Sequence, residues 1–525
     1  MAYDAVVIGA GVNGLAAAVH LSAKGWKVAV VERADTAGGA VKTREITCPG
    51  FRHDLYALNL GLFAGSPFFA AYKDGLIKHG LAFAGADDCF ASAFPDGSWL
   101  GISRDLNTTT RRIGLFSAKD AERWRTMASA FGEEAAHIFP LLGTPMPSWA
   151  AARRLWVSYR AKGGAWFGDL IRLVLSSSRE FLDAQFESEQ LKTMMAAWGM
   201  HLDFSPDVAG GALFAYLESM AEQSFGMAIG RGGAATVVNA LVSYLNELGG
   251  ELHLGRPVER IELIGGRASG VRLAGGELLA AQRAVIANVH PRLVFGQLLA
   301  KEAGRTAFDA RIARFRSGPG TMMIHLALSD LPDWAAGREL KRFAYVHLVP
   351  SLAAMAATYT EAMDGLLPQE PVLVVGQPTA IDPSRAPDGK HVLWVQVRAL
   401  PATIRGDAGG TIAATNWDGA KGAYAARVLA LLERYAPGLS GKILGRAVFS
   451  PLDLERDNPN LIGGDSISGS HHLDQNFLMR PLFGWSRFRT PVRGLYLCGA
   501  STWPGAGVNA ASGFMLAKML AGDPG

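Results

Sequence analysis

Hydrophobic and polar positions change their period several times along the chain, and each change marks an element. Residues 4–8 end in an unbroken Ala-Val-Val-Ile run, the pattern of a strand covered on both faces. Residues 15–24 carry an apolar stripe at helical spacing, Gly25 stops it, and residues 26–31 form a second apolar strand closed by Glu32. Residues 90–102 alternate around Asp96-Gly97, which predicts a hairpin. From 118 to 217 apolar residues recur three and four apart, a largely helical region. A helix over 234–247 follows Gly230-Arg231-Gly232-Gly233, then two short strands over 251–261, a hairpin over 270–279 and a buried strand over 284–287. Strands are predicted at 322–328, 343–349, 371–378 and 392–398, with a helix over 422–435. The C-terminal pattern is a strand over 495–498 and a helix over 508–520.

The first forty residues are the organising unit. Gly9, Gly11 and Gly14 follow the first strand and open the helix in GxGxxG spacing. Gly9 permits the tight turn, Gly11 leaves room for a pyrophosphate beside backbone N–H groups, and Gly14 lets the helix lie close to the strand. Glu32 stands 18 residues beyond Gly14, near the ~20 expected of an acid that binds the hydroxyls of an adenosine ribose. The glycines alone would be a weak indication, but strand, helix and acid all stand in the right order. The motif predicts a dinucleotide site and leaves open which dinucleotide. Arg33, Gly38, Gly39 and Thr43 extend it, the second glycine pair letting backbone pass the same pyrophosphate.

Composition narrows the class. The chain has 525 residues, 49% hydrophobic and 19% charged, which fits a large globular protein of two or three domains. The net charge of +4 is scattered, without the basic block a nucleic-acid partner would need. Cys48, Cys89 and Cys498 form no CxxC, so neither a redox dithiol nor a metal cluster is expected. The first strand begins too early for a signal peptide, and no run reads as a membrane span, so a cytoplasmic location is expected. Residues 148–175 interleave Trp149, Trp156, Tyr159 and Trp166 with Arg153, Arg154, Arg160, Lys162 and Arg172. Two readings compete there. The favoured one is a domain helix with its aromatics packed inside and its arginines in water; the other is a peripheral contact with a membrane headgroup layer.

Residues 494–516, GLYLCGASTWPGAGVNAASGFML, supply a second strand, glycine turn and helix. Together with VVIGAGVNGLAAAVHL, the Glu32-Arg33 and Ala37-Gly38-Gly39 pieces, GRGG, APDGKHVLW and HHLDQNFLMRP, they resemble the phytoene (carotenoid) desaturase family over almost the full length. The nearest likeness is to its carotene-ketolase-like branch and to the pyridine nucleotide-disulphide oxidoreductase domain-containing relatives. The resemblance implies an α/β two-dinucleotide-binding-domain flavoprotein: a Rossmann-like FAD domain with an inserted α+β substrate domain. It divides the chain into a discontinuous FAD domain, 1–89, 225–297 and 445–525, and a substrate domain, 90–224 and 298–444. It further implies hydride transfer between FAD and a hydrophobic small molecule. Gly499, Val508 and Asn509 would lie against the flavin, and Val258 would touch adenine through its backbone. Trp503 stands where the family commonly has His, and His472, with His471 beside it, lies just downstream of Ser468, where ketolase-like relatives tend to carry one. Asp474 and Arg480 match the family pattern, so His472, Trp503, Asp474 and Arg480 are the catalytic candidates. Amine oxidation is a rival within the superfamily, disfavoured by Ala500 where amine oxidases resemble one another in carrying Glu. A flavin-stabilised binding protein with little turnover is the rival from another class.

Overall fold

The computed structural model describes residues 2–300 and 305–523; residues 1, 301–304 and 524–525 of the expected domain segments lie outside them. The first sheet is built on Ala2–Ile8, a strand whose Val6 and Val7 have no exposed surface. Such a strand needs cover on both faces. It pairs in parallel with Val28–Val31 on one side and with Leu278–Ala287 on the other. Glu251–His253 extends the sheet beyond the second strand, also in parallel. Leu278–Ala287 has a divided outer edge: its first residues pair antiparallel with Arg267–Leu273, and its last three pair in parallel with Leu495–Leu497. Val258–Ile264 closes that edge as a hairpin with Arg267–Leu273. Strands far apart in sequence therefore end side by side, with all the parallel strands delivering their carboxyl ends to one rim.

The second sheet has seven strands, in the order Ile443–Phe449, Gly320–Leu328, His391–Leu400, Val372–Gly376, Tyr345–Leu348, Asp88–Ala93, Trp99–Ser103. All neighbours are antiparallel except Tyr345–Leu348 with Asp88–Ala93. One face carries the helical layer Ala118–Leu142, Trp149–Leu175, Ser178–Gln185, Glu189–Met200 and Gly211–Phe225, and a single apolar core joins the two. Helix Trp417–Tyr435 packs on the opposite face. Strands Asp88–Ala93 and Ile443–Phe449, which straddle the expected boundaries at 89/90 and 444/445, both belong to this second sheet.

Thr43–Glu45 and Arg52–Asp54 form a separate two-stranded ribbon whose Asp54 is buried against Arg385. Two local expectations change. The C-terminal helix starts at Ala511, because Ala510 takes a left-handed conformation (φ 60°) that breaks the turn before it. Helix Trp149–Leu175, interrupted at Gly163 (φ 82°), turns the aromatics of its first half outward: Trp149 is 92% exposed and Trp156 59%, beside the exposed Arg153, Arg154 and Arg160, whereas Trp166 is half-buried, donating to Glu134 and packing on His137. Packing across Ala118–Leu142 claims other positions of that helix, including Ala151 and Ser158.

Candidate active site

Two glycine turns meet at the rim of the first sheet. In the N-terminal one Gly9 has φ 94° and Gly14 lies so close to Gly9 O that any side chain there would overlap it. Gly38 donates to Ala10 O at 2.9 Å, which lays the second glycine pair along Gly11. Glu32 sits at the end of Val28–Val31, its two carboxylate oxygens accepting from Ala10 N (2.8 Å) and Ala34 N (3.0 Å). A carboxylate oxygen can accept more than one donor, so Glu32 is tied to the turn and still able to receive ribose hydroxyls. The cradle thus fits the ADP half of a dinucleotide: bare backbone at the first helix N-terminus and an oriented acid at the second strand.

The C-terminal turn is joined to this cradle by a residue that no sequence motif singled out. Asn288, directly after the strand Leu278–Ala287, donates to Gly9 O at 3.3 Å, and a Cβ on Gly499 would stand 2.6 Å from its Oδ1. Gly513 donates to Asn13 Oδ1 at 3.1 Å, bringing helices Val12–Ala23 and Ala511–Ala521 into contact. Within the turn, Gly499 N donates to Ser512 Oγ (3.0 Å) and Thr502 Oγ1 to Gly499 O (2.9 Å). Asn509 accepts from Ala511 N at 2.9 Å, so Val508 and Asn509 precede the helix and shape its entry. A signal for Asn288 was available: a polar residue ending an otherwise apolar strand beside Pro291.

The four catalytic candidates separate. Trp503 is buried, its indole N–H donating to Thr144 O at 2.9 Å and its ring lying 5.5 Å from that of Phe477. Arg480 is fully buried and donates to Ala500 O (2.7 Å), Ser470 O (2.8 Å) and Gly469 O (3.1 Å), so its guanidinium is occupied by main-chain carbonyls of two segments. Asp474 lies at the surface in a two-point pair with Arg316 at 2.8 Å. His472 turns to Asp203, 2.8 Å from its carbonyl, where Tyr359 also donates to Asp203 Oδ1 (2.9 Å). Burial lifts the Asp203 carboxyl to about 6. It is His471 that reaches the C-terminal turn: its Nε2 accepts from Ala506 N at 2.9 Å. Burial first, and the Arg480 charge next, hold its imidazole well below the usual range, so the ring is neutral.

Of the remaining expected cofactor contacts, Arg33 is exposed, and Val258 starts its strand half-buried, near Arg256 N, which donates to Glu32 O at 2.8 Å. Thr43 spends its hydroxyl on Asp54 (2.6 Å) and on Ala235 N (3.0 Å), at the start of helix Ala235–Glu247.

Residues 7–72 match the model of the NAD(P)-binding Rossmann-like domain, and residues 121–310 that of the flavin containing amine oxidoreductase. The chain is 30% identical to pyridine nucleotide-disulfide oxidoreductase domain-containing protein 2 of Rattus norvegicus, covering 99% of this chain and 94% of that protein. The chain belongs to this phytoene desaturase-like family. Within it, a limonene dehydrogenase polypeptide of Castellaniella defragrans is 26% identical (99% and 95% covered). Phytoene desaturase (neurosporene-forming) of Cereibacter sphaeroides is 25% identical (96% and 91% covered). The protein is an FAD-dependent oxidoreductase, with a Rossmann-like domain beside mixed α/β structure. Among the described residues no helix is long and apolar enough to cross a membrane.

Proposed function

We propose that the protein oxidises a hydrophobic small molecule of terpenoid or isoprenoid type at a flavin held between the two glycine turns. The observation that supports this reading is the junction at Asn288, which fixes the C-terminal turn against the N-terminal cradle. In this assignment Gly9, Gly11, Gly14, Glu32, Gly38 and Gly39 hold the ADP half, with Val258 at the adenine. Gly499, Val508 and Asn509 border the ring system. FAD supplies a two-electron acceptor for hydride when bound. The chain's own work is orientation and exclusion of water. His471, neutral and fixed on Ala506 N, positions the backbone of residues 505–507. Arg480 locks the segment 468–470 to Ala500. Trp503 fills space beneath the turn, and Asp474 pairs with Arg316 at the surface. No described side chain at the turn forms a nucleophile and base pair, which suits a reaction in which C–H cleavage is driven by alignment. One relative is named for limonene and another for phytoene, and both names direct the choice of substrates below.

The exposed side of Trp149–Leu175 supports a peripheral membrane contact in the same reading. Its aromatics and arginines suit the headgroup layer, and the turn leading into it, at Thr144 and Met146, touches Trp503 and Ser486. An apolar substrate dissolved in lipid would meet the protein beside its reactive end. The test is anaerobic flavin reduction by a panel of monoterpenes, isoprenoids and primary amines. Bleaching by a terpene or isoprenoid is expected. Bleaching by amines alone would overturn the substrate assignment in favour of amine oxidation.

A further inference from the structure

The space between the second sheet and its helical layer is walled by polar groups where the core of such a layer pair is normally apolar. Arg398 ends its strand's inward-facing row, and its Nη1 donates to Ser466 Oγ at 3.1 Å while Nη2 lies 3.2 Å from His201 Nδ1. Since a guanidinium only donates, His201 Nδ1 is the acceptor and the imidazole proton sits on Nε2. That Nε2–H finds no partner, nor do Arg398 Nε, Trp198 Nε1 and Trp394 Nε1. Four N–H donors are therefore buried together with no bonded acceptor, and the one unpartnered side-chain oxygen on the same strand face, Gln396 Oε1, bonds to none of them. His347 adds a ring with both nitrogens unpartnered. These groups are one cluster: Trp198 stands 4.8 Å from His201 and 5.3 Å from His347, and Tyr345 stacks on Trp394 at 5.7 Å.

Charge points the same way. Arg398 forms no ion pair with a carboxylate of the described residues. Asp465, the carboxylate whose charge Arg398 feels, has its oxygens taken by the amides of Gly318 (2.9 Å), Gly469 (2.6 Å) and Ile467 (2.8 Å). Unpaired buried donors are costly, and a partly buried cation without a counter-ion adds to that cost. His201 and Arg398 keep part of their surface accessible while Trp198, His347 and Trp394 are buried, so the cluster reaches solvent at one end. Ser466, which Arg398 holds, belongs to the segment that carries Ser468, bonded to Ser501, and His471, bonded to Ala506. One stretch of chain thus links the cluster to the C-terminal turn.

We propose that this interior surface binds the carboxylate of a ligand with an apolar body, with Arg398 as counter-ion and the His201 and indole N–H groups as further donors. The aromatic rings of Trp198, Tyr345 and Trp394 would take the apolar part. If the ligand is the substrate, the oxidised molecule is an apolar acid; that step rests on the function proposed above, whereas the binding site does not.

The test uses the purified full-length protein and a series from phenylacetate to 4-phenylbutyrate, each against its neutral amide and the amine of the same length. Tryptophan fluorescence and thermal shift report binding. The best carboxylate is expected to bind at least tenfold more tightly than its amide. Arg398→Met is expected to erase that preference and Arg398→Lys to keep part of it. Equal binding of acid and amide, tighter binding of the amine, or no binding across the series would overturn the proposal. Should Arg398→Met fail to fold, the wild-type comparison and Arg398→Lys decide the matter. Carboxylate binding without flavin bleaching by any member of the terpene panel would sink the proposed function and leave this site standing.

Discussion

At the scale of single residues, the site depends on places where no atom can be added and on one arginine where none can be lost. A Cβ on Gly14 would overlap Gly9 O and stand 2.9 Å from Asn288 Nδ2, so Gly14→Ala must push the first helix off its strand. Purified Gly14→Ala is expected to lose most of its bound flavin, read from absorbance after gel filtration; full retention would show that the cradle tolerates the shift. Arg480→Met leaves the carbonyls of Gly469 and Ala500 without their Arg480 donor, and Ser470 O with only the 3.3 Å bond from Gln475 Nε2, at about 1–3 kcal/mol for each group left unsatisfied. Asp474→Asn removes an exposed pair worth about 0–1 kcal/mol. The expected contrast is a large fall in melting temperature and flavin content for Arg480→Met, and near-parental turnover for Asp474→Asn. Lost turnover in a stable, flavin-loaded Asp474→Asn would return that carboxylate to the chemistry.

At the scale of elements, helix Trp149–Leu175 is where pattern and structure part. Its composition announces an amphipathic helix, but which side faces inward is set by Ala118–Leu142 and Gly211–Phe225, and that choice is long-range. The start of the last helix was hidden for a local reason: Ala510 has no side-chain feature that advertises a left-handed conformation. The N-terminal strand, turn and helix were legible because each of their constraints is local in sequence. The outward aromatics can be tested as a unit. Trp149→Ser combined with Trp156→Ser removes mostly exposed surface and one surface stack, Trp156 on Tyr159, so stability should move by no more than about 1 kcal/mol. Flotation with anionic vesicles should fall severalfold. Unchanged flotation would remove the membrane contact, and a large drop in melting temperature would show that these rings pack in solution.

At the scale of the whole molecule, segments far apart in sequence meet through polar residues that no periodicity marks: Asn288 at a strand end, Asp54 against Arg385, Arg480 across two loops. Asp54, Arg385 and Arg480 are buried, and a buried polar residue is explained by the partner that satisfies it. The same burial has a consequence in pH. His290, His325 and His347 are held neutral, chiefly by burial, with imidazoles pulled down to about 3 from 6.5. Each lies below its unfolded value, so its contribution to stability is complete above pH 6.5 and declines as pH falls toward 3. By pH 5 each such group costs about 2 kcal/mol. Burial lifts Glu218 to about 7 and Asp203 to about 6, and these act in the opposite sense, favouring the folded state as pH falls from 7 towards 4. The two sets therefore oppose each other between pH 7 and 5, and the sum alone would not identify either. A single substitution does. His347→Leu removes a titrating group with both nitrogens unpartnered, so the variant should lose less stability than the parent between pH 7 and 5, by about 2 kcal/mol in urea melts. Parallel pH curves for the two proteins would mean that His347 is hydrated or paired in the folded state and that the interior beside Arg398 is wetter than its packing indicates.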